Sequence, residues 1–418
     1  MKVWLRFFQE LLRGRWRINL RILLVADGRS PITRNWIRMI GGMGHQVVLL
    51  STFPHEPIPD IEGQYILPVG FSSIAGSQVK STGEGKPSRI SMFVALFRPL
   101  LMCIRAFLIP LLIPRYQARF LVYVKQIKPD IVHALRIPFE GMLAATLPKE
   151  IPLVVSIWGN DLTLHANTSK LMALRTRDAL GRADGLMADA ARDIQLAEKM
   201  GLRESIPNIV VPGSGGLDLG AVHATANDSS IDKYGIPVNV PLIINPRGFR
   251  PGSVHQDVFF QSIPFILKEI PKAHFVCTGM YGQPQAEKWL RHYGIISSVS
   301  LLPFIPQGDL WALYFNADVY MSLSSHDGTP NSFLEAIACG CFPVVGNIAS
   351  LREWIDHGKN GWLVEPRDAR AAADAVISVL RDKNLRDHAA VINQGIVADR
   401  VDLRQVKKTV QKFYKQFI

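Results

Sequence analysis

The sequence predicts an α/β protein in which two doubly wound domains face each other across a cleft. Short apolar runs with the length of buried strands alternate with segments of helical periodicity through most of the 418 residues. Such alternation is typical of parallel sheets that are covered by helices on both faces. A chain of this length can bury two hydrophobic cores, and a stretch rich in Gly, Ser, Ala and Asp at 212–230 separates two series of strands.

The first series of strands forms the predicted N-terminal domain. A helix over 32–43 follows the first strand, and the glycines at 41–44 end that helix. Residues 72–88 are rich in Gly, Ser and Lys and predict a loop. The predicted strands are 21–26, 46–50, 130–134, 153–157, 185–188 and 208–211.

The second series predicts a C-terminal domain of the same kind. Ligands of such folds bind beyond the carboxyl ends of the parallel strands, so we expect functional residues in the loops there. We divide the chain into a basic N-terminal segment (1–18), an N-terminal domain (19–215), a C-terminal domain (216–395) and a C-terminal helix (396–418) that can pack back on the N-terminal domain. The predicted strands of the second series are 242–244, 274–277, 300–302, 319–321 and 343–345.

The most informative segment runs from Ser324 to Ala336 and carries two acids, Asp327 and Glu335, with seven residues between them. Thr329 is a good N-cap and Pro330 suits the first helical position, so a helix is predicted to begin here. A helix start offers free N–H donors and a positive dipole end, where phosphate binds well. The structural alternative is a capped helix with surface acids. The candidate ligand-binding residues of this loop are Gly328, Thr329, Pro330, Asn331 and Ser332.

Residues 273–366 resemble the donor-binding half of glycosyltransferase family 4, whose members are retaining enzymes of GT-B architecture with two Rossmann-like domains. The family typically has a Glu, seven residues and a second Glu, where this chain has Asp327 and Glu335. The resemblance continues through Gly340, Glu353 and the segment 361–366. It implies that Glu335 holds the ribose and Asp327 the transferred sugar of a nucleotide-diphosphate sugar, without a metal or other cofactor. The Asp shortens the reach by about 1.5 Å.

The resemblance also implies a diphosphate site after the first strand of the second domain. Arg247 matches the family's arginine by position, and Arg250 lies close by. The family's lysine is missing, and His255 or Arg250 can replace it; the alternative for both arginines is a solvated loop. A guanidinium matches phosphate oxygens geometrically.

Two acceptor-side residues follow from the resemblance in the first domain. His133 ends a buried strand, as the family's acceptor-side histidine does, and is expected to contact the transferred sugar or the acceptor. Asp161 lies in a turn that resembles the family's Gly-x-Asp turn and is expected to orient that loop or His133. A satisfied core histidine and a plain Asx-turn are the structural alternatives.

A net charge of +12 predicts an anionic partner. No zinc-finger or RNA-recognition signature is present, so an anionic membrane surface is favoured over nucleic acid. Residues 1–17 segregate apolar and basic side chains at helical spacing, and 91–119 is apolar but interrupted by arginines and by Pro99, Pro110 and Pro114. Both segments predict interfacial docking or an apolar acceptor groove, with packing on the protein itself as the alternative. A transmembrane helix is disfavoured.

These observations together predict a retaining glycosyltransferase with a lipid-linked or saccharide acceptor, peripheral on the cytoplasmic face of the cell membrane. The alternatives are a non-catalytic GT-B subunit and a sugar-nucleotide epimerase. A nicotinamide dehydrogenase is improbable, because no G-x-G-x-x-G follows the first strand.

The cysteines show no CxxC or secretory spacing and predict buried thiols in a reducing compartment; they are Cys103, Cys277, Cys339 and Cys341.

Overall fold

The computed structural model describes residues 19–59, 61–70, 98–226 and 233–418. In the helix that begins at Arg98, side chains are described from residue 107 onward. The N-terminal domain is built on a seven-stranded parallel sheet of order β3-β2-β1-β4-β5-β6-β7. Its strands are β1 Arg21–Ala26, β2 Gln46–Ser51, β3 Gly63–Ile66, β4 Ile131–Ala134, β5 Leu153–Ile157, β6 Gly185–Ala188 and β7 Asn208–Val210. Its helices are α1 Pro31–Gly41, α2 Arg98–Ile127, α3 Lys170–Arg182 and α4 Ala191–Lys199.

The C-terminal domain is built on a six-stranded parallel sheet of order β10-β9-β8-β11-β12-β13. Its strands are β8 Leu242–Asn245, β9 His274–Cys277, β10 Val299–Leu301, β11 Val319–Ser322, β12 Phe342–Gly346 and β13 Trp362–Val364. The helices that follow β7 are α5 Leu219–His223, α6 Gln256–Glu269, α7 Pro284–Tyr293, α8 Gln307–Asn316, α9 Asn331–Ala338, α10 Ala369–Arg381, α11 Lys383–Arg400 and α12 Leu403–Tyr414. Short helical turns lie at Ile137–Gly141, Met142–Ala144, Asp161–His165, Ala166–Thr168, Ile296–Ser298, Leu351–Glu353 and Lys415–Phe417.

The predicted fold class is confirmed, and all eleven predicted strands are present with ends that shift by at most one residue. Two edge strands were missed. Strand β3 alternates half-buried and exposed residues, and β13 has only three residues, so neither shows an apolar run. The stretch predicted as a linker is partly ordered, because α5 lies within it and Leu217 pairs with Asp402; its residues 227–230 lie outside the described part.

The end of the chain crosses from the C-terminal to the N-terminal domain. Helix α11 runs without a break to Arg400, so the domain boundary predicted at 395 falls inside a helix and is corrected to the turn before α12. The apolar face of α12 packs on the N-terminal sheet. Phe413 and Tyr414 are fully buried there against the core that contains Leu20 and Trp36. This last helix therefore joins the two domains by side-chain packing as well as by the chain.

Helix α2 corrects the expectation that prolines interrupt the apolar segment 91–119. The helix continues through Pro110 and Pro114, although proline removes a helical hydrogen bond. One face carries Ile113 and Phe120 into the N-terminal core, while Phe107 and Leu111 are exposed. By length and composition alone, 107–127 is a stretch that could cross a membrane. The basic segment 1–17 and the loop 72–88 lie outside the described residues.

The cysteine prediction agrees with the structure where it describes them. Cys277, Cys339 and Cys341 are free and buried, and burial raises the pKa of each thiol above its ordinary value. The side chain of Cys103 lies outside the described part.

Candidate functional site

Three neighbouring cavities lie beside helix α1, two of them between the domains and one within the N-terminal domain. We call the middle one the arginine cavity, because guanidinium groups dominate its wall; its volume is about 350 Å³. It is lined from both domains by Ile32, Arg136, Trp158, Gly159, Asn160, His165, Asp189, Gly213, Pro246, Arg247, Arg250, Asp327, Thr329, Pro330, Asn331 and Ser332. The predicted loop of α9 and the predicted arginines therefore face the same space.

Arg247 is held in the arginine cavity by contacts from both ends. Its backbone N–H donates to the side-chain oxygen of the buried Asn245 at the end of β8, over 3.2 Å. Its guanidinium forms an ion pair with Asp327 and donates to Ser332 Oγ at 3.4 Å. Only 7% of the Arg247 side chain is exposed, so this pair is shielded from solvent. The structure thus brings together the two residues that we assigned to the diphosphate and the sugar.

Arg250 approaches the same cavity from the next turn of the loop. Its Nε donates to the backbone oxygen of Arg247 at 3.2 Å. The nearby charge of Arg247, helped by burial, lowers the pKa of the Arg250 guanidinium. Three guanidinium groups and two carboxyl groups line this cavity, and burial raises the pKa of one of those acids, Asp189, so a dianionic group would find a net positive field there. His255 does not line the cavity, and its Nε2 lies 2.5 Å from Ser325 Oγ; of the two candidates for the place of the missing lysine, Arg250 is the one that faces this space.

Glu335 borders the next cavity along the cleft, one helical turn after Ser332. Burial raises the pKa of this carboxyl to about 7, and Gln307 Nε2 donates to it at 3.2 Å, which opposes the shift. We call this space the Glu335 cavity; its volume is about 310 Å³. Its lining includes Asn35, Arg38 and Met39 of α1, Gly215 and Gly216 of the interdomain stretch, and Gln307 and Trp311 of α8. Both acids of the motif therefore face the cleft.

The start of α9 differs from the predicted capped helix. The helix begins at Asn331, and Pro330 occupies the position before it without a side-chain cap. Thr329 has another partner, since its hydroxyl donates to the backbone oxygen of Asp189 in the other domain at 2.5 Å. The Thr329 N–H donates to the Asp189 carboxylate at 3.3 Å. The prediction that Thr329 caps α9 is wrong, because a tertiary contact engages the hydroxyl, and a phosphate would have to displace Asp189 to reach this N–H.

His133 does not reach the cleft. It is fully buried in β4, and its two ring nitrogens lie 2.7 Å from Tyr414 Oη and 2.8 Å from Ser156 Oγ. Burial lowers the pKa of the imidazole to about 3, so it is neutral at physiological pH. The expected contact with sugar or acceptor is therefore wrong for this arrangement. The ring is a core group that ties α12 to the N-terminal sheet.

Asp161 orients a residue that the sequence reasoning missed. Its buried carboxylate accepts hydrogen bonds from the N–H groups of Ile137 and Trp158 and forms an ion pair of 2.7 Å with Arg136. It therefore holds its loop, as expected, but it orients Arg136 and not His133. Arg136 lines two cavities, and its Nε is buried without a protein partner. The feature of the sequence that could have identified Arg136 is its position just beyond the carboxyl end of β4.

The third cavity lies within the N-terminal domain, and we call it the N-terminal cavity; its volume is about 470 Å³. The buried acid Glu140 lies in its wall, accepts from Thr52 Oγ1 at 2.7 Å, and has a pKa that burial raises. Phe139 beside it has a φ of 74°, which is unusual for an aromatic residue. The lining includes Asp27, Arg29, Phe53, Leu135, Arg136, Pro138, Phe139, Trp158 and Met172, and reaches Phe107 of α2.

Both halves of the chain match known families. Residues 227–394 match the family model described as glycosyl transferases group 1, and residues 116–190 match the one described as glycosyl transferase 4-like. The chain is 24% identical over 225 residues to a D-inositol 3-phosphate glycosyltransferase of Thermobispora bispora, covering 51% of each chain. It is 29% identical over 139 residues to a GDP-mannose-dependent alpha-(1-6)-phosphatidylinositol monomannoside mannosyltransferase of Mycobacterium tuberculosis, covering 31% of this chain and 36% of that protein.

The matched segments thus span about half or less of the length of these relatives. Solved structures agree over nearly the whole fold. Sucrose-phosphate synthase from Thermosynechococcus elongatus superposes with a TM-score of 0.72 at 15% identity, covering 95% of this chain and 98% of that one. Anabaena HepE in complex with UDP superposes with a TM-score of 0.66 at 14% identity, covering 95% of this chain and 100% of that one.

Proposed function

Since the chain belongs to the glycosyltransferase 4-like proteins with the GT-B fold, we propose that it transfers a sugar from a nucleotide-diphosphate sugar to an acceptor hydroxyl. The observation that carries this proposal is the arginine cavity, where Arg247, Arg250 and the start of α9 meet between the two domains. A cleft with three convergent guanidinium groups and two carboxyl groups fits an anionic, hydroxyl-rich ligand better than an apolar one.

The donor would lie across two of the cavities. Its diphosphate would bind Arg247 and Arg250, and its ribose would hydrogen-bond Glu335 in the adjoining Glu335 cavity. The transferred sugar would lie at the Asp327 end, next to Arg136 and the N-terminal cavity. The crystal structure of Anabaena HepE is a complex with UDP, which supports our proposal that a nucleotide binds here. This placement puts the reacting carbon where the two domains meet.

Chemistry at this site requires stabilisation of the departing diphosphate as the sugar becomes cation-like. The two arginines supply a fixed positive field for the leaving group, and fixed dipoles need no reorganisation during the reaction. Of the two carboxyl groups in the arginine cavity, Asp327 is paired with Arg247, and Asp189 accepts from two backbone N–H groups and has a pKa that burial raises, so we assign neither as a nucleophile. We therefore propose transfer with retained anomeric configuration: the acceptor oxygen attacks the anomeric carbon on the face that the diphosphate leaves, the bond from that carbon to the diphosphate breaks, and the hydroxyl proton of the acceptor passes to the departing diphosphate. It needs no metal or other cofactor, because the arginines neutralise the leaving group.

The acceptor would enter through the N-terminal cavity. Arg29, Arg136 and Glu140 offer polar contacts, whereas Phe53 and Phe107 make one part of the wall apolar. Phe107 is 57% exposed on α2, so the apolar wall continues onto the outer surface. The net charge of +12 favours an anionic bilayer. We propose a lipid-linked acceptor used by a peripheral protein on the cytoplasmic face of the membrane, in the assembly of surface polysaccharide or glycolipid.

A ligand screen followed by a transfer assay tests the proposal. UDP-, GDP- and ADP-sugars are compared by thermal shift, because a ligand that binds only the folded state raises Tm. The stabilising donor, labelled in its sugar, is then incubated with membrane lipid extract. Label in the lipid phase with release of nucleoside diphosphate supports transfer. Donor binding with a changed sugar configuration and no transfer would identify an epimerase, and absence of any Tm shift would remove the proposal.

A further inference from the structure

Two carboxyl groups, one from each domain, accept hydrogen bonds from backbone N–H groups of the opposite domain. Asp189 follows β6 in the N-terminal domain, and its Oδ2 accepts from Thr329 N–H just before α9 of the C-terminal domain. Glu353 belongs to the C-terminal domain, and its two oxygens accept from the N–H groups of Ala191 and Arg192 at 2.7 and 2.8 Å. Those N–H groups lie at the start of α4 in the N-terminal domain. Each domain thus supplies a carboxylate to a helix start of the other.

Asp189 joins loops from both domains at one atom. Its Oδ2 also accepts from Gly159 N–H of its own domain at 3.4 Å, while its backbone oxygen receives the Thr329 hydroxyl. The Trp354 indole donates to that hydroxyl at 2.9 Å. Asp189 is 6% exposed, and burial, with Asp193 nearby, raises the pKa of its carboxyl well above the ordinary range. A buried acceptor with these partners is expensive to leave unpaired.

The backbones of the two domains meet at Gly159 and Gly328 without room for a side chain. A Cβ on Gly159 would lie 1.6 Å from Gly328 N, and a Cβ on Gly328 would lie 2.3 Å from Asp189 Oδ1. Neither glycine has a left-handed φ, so the reason for glycine is the close approach between domains. An alanine at either position would therefore collide with the other domain in this arrangement.

Further polar contacts follow the same seam. Ser350 Oγ donates to the backbone oxygen of Asp327 at 2.9 Å, and Arg192 donates towards Ser350 Oγ at 3.5 Å. Arg192 also donates to the Gly159 oxygen at 3.2 Å. The backbone of Asp327 is therefore connected to α4 through one serine and one arginine. Residues that fix the donor loop are held by the other domain.

We propose that Asp189 and Glu353 are positioning residues that latch the two domains together and thereby fix the loop 327–329 for the donor. The latch closes the cleft by reciprocal contacts at the starts of α4 and α9. It rests on the proposed function only for its effect on the donor; its effect on the domain arrangement stands separately. Loss of Asp189 leaves the buried N–H groups of Gly159 and Thr329 without their acceptor in the closed arrangement, and loss of Glu353 removes two hydrogen bonds between the domains. Either change shifts the population towards an open cleft.

The test uses the full chain and measures domain arrangement by small-angle scattering and nucleotide affinity by calorimetry with UDP and with GDP. Asp189→Ala and Glu353→Ala are expected to increase the radius of gyration and to weaken the nucleotide that binds by about tenfold. Asp189→Asn keeps an oxygen acceptor and is expected to remain close to wild type. Glu287→Ala on the surface of α7 is the control for removing one acid.

Gly159→Ala keeps the test decisive if an Asp189 variant folds poorly. It leaves both acids in place, and it is expected to open the cleft by steric contact alone while each domain keeps its Tm. Scattering curves of Asp189→Ala and Gly159→Ala that superpose on wild type, with unchanged nucleotide affinity, would overturn the latch. An opened variant together with a wild-type chain that shows no Tm shift with UDP-, GDP- or ADP-sugars would retain the latch and remove the proposed function.

Discussion

The arginine cavity and the N-terminal cavity share Arg136, Trp158 and His165, yet they are built in different ways. The arginine cavity draws its walls from both domains and presents three guanidinium groups and two carboxyl groups. The N-terminal cavity belongs to one domain and joins a buried acid to an apolar wall that reaches the protein surface. The difference teaches that the proposed donor site is enclosed only where the two domains meet, whereas the proposed acceptor cavity is lined by the N-terminal domain by itself.

Removing Arg247 should produce the largest effect, because it takes a buried cation from the cavity between the domains. Arg247→Ala removes charge-assisted hydrogen bonds of about 1.5–3 kcal/mol each and leaves Asp327 without its ion pair. We expect nucleotide affinity to fall by about 30-fold or more, measured by calorimetry. Arg291→Ala, at a largely exposed arginine of α7, should change affinity by less than about twofold. Equal affinities for the two variants would place the diphosphate elsewhere.

Glu335 sharpens the comparison, because its raised pKa makes stability depend on pH. Its carboxyl is neutral in the folded chain below about pH 7, whereas a free Glu ionises near 4.5. Between these values the folded state binds more protons than the unfolded state, so the stability of the wild type falls as pH rises. Glu335→Gln has no such loss. We expect the difference in free energy of unfolding between Glu335→Gln and the wild type to shift in favour of the variant by about 2–3 kcal/mol from pH 5 to pH 8, measured by denaturant titration.

The same variant tests the ribose contact. At pH 8 the ionised Glu335 is the stronger acceptor, so Glu335→Gln should weaken nucleotide binding by about tenfold at that pH and by less at pH 6. A stability difference that is flat with pH would contradict the raised pKa. An affinity that is unchanged at both pH values would remove Glu335 from the ribose site, whatever the stability does.

The smallest effect is expected at the apolar wall of the N-terminal cavity. Phe107→Ser should leave nucleotide affinity unchanged and reduce transfer to lipid acceptor in vesicles by about fivefold, because part of one aromatic side chain no longer enters an apolar phase. Val391→Ser is the matched control, since Val391 is 70% exposed on α11 of the other domain. A loss of donor affinity in Phe107→Ser, or equal transfer by the two variants, would break the separation of the two cavities.

His133 and Glu335 show which part of the site the sequence could predict. Both are buried titratable residues to which the family resemblance gave a role in the site, Glu335 at the ribose and His133 at the transferred sugar or the acceptor. Glu335 lies on a short helix whose loop must face the carboxyl edge of the sheet, so its position follows from local order along the chain. His133 faces Tyr414, which is 281 residues away. No local sequence pattern indicates that Tyr414 is the partner of His133, and the predicted contact of His133 with the sugar or the acceptor was therefore wrong.

The sequence by itself determined the two parallel sheets, most of their strands, and the loops that carry Arg247 and Asp327, because strand alternation and helix starts are local properties. Only the tertiary structure decided that Thr329 contacts Asp189, that Arg136 borders both cavities, and that Gly159 touches Gly328. These contacts join segments from different domains. Their geometry depends on how two complete surfaces pack, which is a property of the folded molecule and not of any one segment.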